Sequence, residues 1–189
     1  MIPVGYKYKK VQLVADLEWF QSDSVKDVYS VSDCISEDFT DYIDHWKHNV
    51  FWFFDTPAVM EEIAESESVD MSGMTLFFYE MYEKEYNDST HCWESFLTDE
   101  IVTNLPEFVP PKEKKLEGFD VVSFSCGNAP ECSPLSCNWL HQKISVNQHC
   151  LFDTFDEAKD ALNRGVFTNS EPGPYRIFAV YTVSRRSIG

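Results

Sequence analysis

Residues 119–150 read FDVVSFSCGNAPECSPLSCNWLHQKISVNQHC, and the fold class turns on how this run is parsed. FDVVSFS (119–125) is a short apolar strand. Gly127, Pro130 and Pro134 then force turns, and Ser136–Lys143 fits a short helix with Leu140 inward. Beyond Cys150 the chain continues as CLFD and then Thr154-Phe155-Asp156-Glu157, a capping box that opens a helix ending at Gly165. Phe155, Ala158, Ala161 and Leu162 form its inner face. After the EPGP turn (171–174), YRIFAVYTV (175–183) is apolar on both parities and predicts a central strand.

Working back towards the N-terminus, residues 98–117 carry Pro106, Pro110, Pro111 and the basic knot from Lys112 to Lys115. They predict a linker or long surface loop, the one plausible boundary inside an otherwise single domain. It separates an acidic, aromatic-rich part (1–97) from a neutral, cysteine-rich part (118–189). In the first part, Val4–Val14 predicts a half-exposed strand, and Asp23–Val31 a short second one. Ser36–His48 predicts a helix capped by Ser36, with Phe39, Tyr42, Ile43 and Trp46 inward. VFWFFD (50–55) predicts a brief buried strand or an apolar connector. Thr56-Pro57 opens another helix with Val59, Met60, Ile63 and Ala64 inward. Residues 74–86 predict a strand, with 90–96 its hairpin return through Asn87-Asp88-Ser89. No repeat is visible. The expected class is α+β, a mixed or mainly antiparallel sheet with three to four packed helices in one compact domain.

The net charge of −17 is unevenly spread, because residues 16–107 hold 23 Asp or Glu against Lys26, Lys47 and Lys84. Such a field repels nucleic acid and anionic membrane and attracts basic partners. With 15 Phe, 9 Tyr and 5 Trp the chain has ample material for a core. No apolar run approaches the roughly 18 residues of a membrane helix, and no leader segment is recognisable. Six irregularly spaced cysteines suit a reduced, cytoplasmic protein.

Three functional expectations follow. The first is an acidic binding or inhibitory module, comparable in charge to immunity and antidote proteins, that recognises a basic protein partner. Its face is Glu37, Asp38, Asp41, Asp44, Glu61, Glu62 and Glu65, with Trp46 or Trp52 as anchor. The second is an enzyme with a reactive thiol, with Cys132 or Cys137 as nucleophile and His149 as base. The third is a small zinc protein using Cys126, Cys132, Cys137, His149 and Cys150, although only the Cys132–Cys137 spacing approaches that of a zinc knuckle. No phosphate loop or Gly-x-Ser-x-Gly elbow is present, and no cofactor is expected.

Overall fold

The computed structural model describes residues 1–38, 47–98, 101–102 and 110–184. In chain order the elements are β1 (Ile2–Lys10), β2 (Gln12–Leu13), β3 (Asp27–Val28), β4 (Glu37–Asp38), α1 (Pro57–Glu67), β5 (Thr75–Met81), β6 (Lys84–Asn87), β7 (Cys92–Ser95), β8 (Lys114–Ser123), α2 (Pro134–Cys137), α3 (Phe155–Asn163) and β9 (Tyr175–Val183). The class is α+β with an antiparallel sheet. Four long strands run in the order β1-β5-β9-β8, while β4 extends β1 and the β6–β7 hairpin joins the start of β9. β9 is central, as its two-sided apolar pattern requires, and strands from both sides of the Pro/Lys segment share the one sheet.

Two helices form where their caps indicate. Thr56 accepts from the Val59 amide at the head of α1. Thr154 and Glu157 complete a reciprocal capping box on α3. The basic knot is not all linker, since Lys114 and Lys115 already belong to β8 and pair with β9. The helix expected from Ser36 does not start there. Glu37 and Asp38 pair as a strand with Lys10 and Lys9, and the Ser36 hydroxyl donates to the Val28 carbonyl instead of capping. Edge pairing with β1 supplies these backbone groups with partners that the cap would otherwise have served. Residues 39–46 of that expected helix, including Asp41, Asp44 and Trp46, lie outside the described residues.

The sheet also contains a repeat that the sequence reading missed. Gly5 on β1 and Gly118 on β8 have φ of +132° and +148°, and both sit at a register shift of their strand. A Cβ on Gly5 would lie 2.6 Å from the Phe54 carbonyl oxygen, and one on Gly118 would lie 2.6 Å from that of Phe152. Each glycine is required both by its φ and by this close approach. Next to each, an asparagine organises a tight turn. The Asn49 amide nitrogen donates to the Val4 carbonyl, and its oxygen accepts from Phe51 and Phe53. Asn147 does the same with Glu117, His149 and Leu151. Trp52 and Cys150 occupy matching left-handed positions, at φ +65° and +61°. Tyr6 and Phe54 then exchange backbone hydrogen bonds, as do Phe119 and Phe152, before Asp-Thr leads into α1 or α3.

The copies meet at the Tyr79–Val180 rung of β5 and β9, with Gly5 opposite Tyr79 and Gly118 opposite Val180. The molecule is therefore two copies of strand, connection, Asn turn, helix and strand, related by a pseudo-twofold through that rung. The sequence trace is short: Asn-x-x-x-Phe-Phe-Asp-Thr (49–56) against Asn-x-x-x-Leu-Phe-Asp-Thr (147–154).

Both helices cover one face of the sheet. Met60 and Ile63 of α1 pack with Tyr6, Tyr8, Leu76 and Phe78, and Ala158 and Ala161 of α3 pack with Val121 and Ile177. Strand alternation puts Lys7, Lys9, Asp120 and Arg176 on the other face. β1 is not half exposed as expected, because Lys7 and Lys9 are buried there beneath a second layer of chain.

Candidate functional site

That second layer is the segment 29–36, held from both copies of the repeat. Lys9 Nζ, fully buried, donates to the carbonyls of Ser30, Val31 and Ser32 at 2.7, 3.1 and 2.7 Å, and lies 3.1 Å from the Asp33 carboxylate. Lys7 reaches the other Asp33 oxygen at 2.8 Å. From β8, Asp120 Oδ2 accepts from the Val31 amide at 2.9 Å and from the Ser133 hydroxyl at 2.6 Å. Ser133 Oγ in turn accepts from the Ser32 amide at 3.2 Å. The turn's carbonyls thus face a cation and its amides face an anion and a hydroxyl, which satisfies a buried polar loop. Burial pushes the Asp120 carboxyl up to about 6, against the opposing hydrogen bonds from Ser133 and Val31. Burial also works to raise Asp33, but the Lys9 and Lys7 ammonium groups hold it well below the usual carboxylate range.

This clamp delivers Cys34 to the surface beside Cys132 and Cys137. The Sγ atoms of the three lie within 4.8 Å of one another, with Cys34 exposed, Cys137 half-buried and Cys132 buried. Among the described residues no other group of three or more His, Cys, Asp or Glu side chains converges so closely. Cys132 is fixed by the backbone bridge between Ser123 and Cys132, and its thiol donates to Asn138 Oδ1 at 3.3 Å. Cys137 ends α2, where its amide donates to the Ser133 carbonyl. The Cys34 thiol sits 3.2 Å from the Glu131 carbonyl oxygen. S–H bonds from Cys132 and then Cys137 draw the Cys34 pKa well below the usual thiol range, while Cys132 is pushed up by its bonds to Cys137 and Cys34 and by burial.

The other residues singled out from sequence lie elsewhere. Cys126 is exposed, with its sulfur 3.7 Å from Ser125 Oγ, and Cys150 is a core residue whose thiol burial pushes up. Cys150 is also the left-handed position of the second Asn turn. His149 is paired to Asp27 through Nδ1 and stacks on Tyr29 at 4.1 Å, and it is not part of the Cys34, Cys132 and Cys137 group. Its Nε2 lies 3.5 Å from Glu117. Glu61, Glu62 and Glu65 are exposed on α1, with Glu61 accepting from the Tyr8 hydroxyl, and Trp52 is 37% exposed. Glu37 and Asp38 are placed only as backbone in β4. Cys34, Lys9, Asp120 and Ser133 escaped the sequence reading. The available signal was a strand with Lys7 and Lys9 on one parity in which neither parity was free for solvent.

Comparison with protein-family models, with curated proteins and with solved structures finds no match. Among the described residues no helix is long and apolar enough to cross a membrane.

Proposed function

We propose that the protein binds a thiophilic metal ion, zinc(II) or a metal of similar softness, through Cys34, Cys132 and Cys137. The observation that carries this reading is the convergence of three sulfurs from segments about a hundred residues apart. Zinc–sulfur bonds of ~2.3 Å place tetrahedral sulfurs ~3.8 Å apart, so the trio closes on an ion with shifts of about 1 Å or less. Three thiolates leave one coordination position, and the exposed Cys34 puts that position towards solvent. A metal would displace the thiol protons and replace the S–H bonds that now link the sulfurs.

The test is stoichiometry. Reduced protein equilibrated with zinc and desalted is expected to keep about one equivalent, and Cys132→Ser and Cys137→Ser less than about a tenth. Retention below about a tenth in the unaltered protein would overturn the reading.

A second reading, recognition of a basic protein, draws support from α1, whose outer face presents Glu61, Glu62 and Glu65, and from the exposed Trp52. Exchanging the three glutamates for lysine should then abolish retention of basic proteins from lysate. Unchanged retention would make the acidic face a device for solubility.

A further inference from the structure

The fourth buried charge on that face of the sheet, Arg176, takes no part in the clamp or the thiol cluster. It is 4% exposed at the start of β9, and its guanidinium is held between the rings of Phe96 (3.9 Å) and Phe124 (4.2 Å). Nε donates to Glu85 Oε2 at 3.0 Å and Nη2 to Asn128 Oδ1 at 3.3 Å. Nη1 is buried and has no acceptor among the described residues. A charged donor left without a partner in the interior is costly, and it is rare unless something else supplies the acceptor. Arg176 borders a cavity of about 600 Å³, within the size range of small-molecule sites.

The lining specifies the occupant. Among the described lining residues, Arg176 supplies one positive charge, and Glu85 supplies one negative charge that spends Oε2 on the arginine. Ser95 and Thr98 add hydroxyls, while Val50, Phe96 and Ile101 form an apolar wall. A simple anion would leave this pocket net negative in a chain of charge −17. A zwitterion matches both charges, its carboxylate accepting from Nη1 and its ammonium meeting Glu85. We infer that the cavity beside Arg176 binds a free amino acid with an apolar side chain.

This inference is independent of the metal reading, and calorimetry on the full, reduced chain tests it with three probes: leucine, 4-methylpentanoate (no ammonium) and 3-methylbutylamine (no carboxylate). Leucine is expected to bind saturably, and each truncated probe at least about tenfold more weakly, since each leaves one of the two charged groups without its ligand contact. Arg176→Lys keeps the charge but not the fork, and should weaken leucine by a similar factor. Because that residue is deep in the sheet, Ser95→Trp is the companion variant. It fills the cavity from an exposed edge-strand position, and leucine binding should vanish while the thermal transition stays in place. No heat with leucine, or equal binding by the folded Ser95→Trp protein, would overturn the inference. Equal affinity for leucine and 4-methylpentanoate would overturn the zwitterion assignment.

Discussion

The two copies of the repeat share the hydrogen bonds that tie each glycine strand to its asparagine turn and differ where they carry chemistry. Glycine, asparagine turn, left-handed residue and threonine cap coincide. Two residues after each glycine, however, stands Lys7 in one copy and Asp120 in the other. These opposite charges serve one end, since both grip the segment that carries Cys34. The connections between strand and Asn turn differ too. The first, from Val11 to His48, supplies one thiol, and the second, from Phe124 to Val146, supplies two. A duplicated frame has fixed the geometry, and its unequal connections converge on a single centre that neither copy could build alone.

The largest expected effect breaks the frame itself. Gly5→Ala and Gly118→Ala each drive a Cβ into backbone at 2.6 Å in a conformation hostile to L-residues, and each should cost more than about 4 kcal/mol in urea unfolding. If one is tolerated, the two sites are not equivalent. Asn49→Ala and Asn147→Ala should each cost about 3 kcal/mol, since each asparagine serves two buried amides and one strand carbonyl. Costs differing by more than about 2 kcal/mol would undo the symmetry.

Little of that frame was legible in the sequence, for physical reasons. The Thr154 box, the Thr56-Pro57 start and the two-sided β9 were readable because caps and apolar parity are local signals. The repeat was not, because its connections differ in length and only Asn, Phe, Asp and Thr coincide around each turn. Cys132 and Cys137 were legible as a pair. Cys34 was hidden because its approach depends on Lys9 and Asp120, strand residues that contact it only through the clamped segment. The Ser36 cap looked sound locally, and edge pairing to β1 overrode it.

The charge difference between the copies gives a pH test. Asp120 is raised in the fold to about 6 from 3.8. Between those values the native state holds a proton that the unfolded chain has released, so the contribution of Asp120 to stability falls as pH rises through that window. The stability of the unaltered protein minus that of Asp120→Asn should therefore drop by about 2 to 3 kcal/mol from pH 4 to pH 6. A flat difference would place Asp120 in a more polar setting than its burial indicates. The smallest effect compares the caps. Thr154→Ala breaks a reciprocal box and should cost about 1 kcal/mol, whereas Thr56→Ala removes one 3.5 Å bond and should cost a few tenths.

The claim that one centre is shared between the copies rests on Cys34, its only contribution from the first. The direct measurement is zinc affinity by chelator competition for the unaltered protein, Cys34→Ser and Cys126→Ser, all reduced. Loss of a ligand should weaken Cys34→Ser by more than about a hundredfold, while Cys126→Ser, outside the cluster, keeps the original affinity. Affinity of Cys34→Ser within about threefold of the unaltered protein would contradict a centre built from both copies.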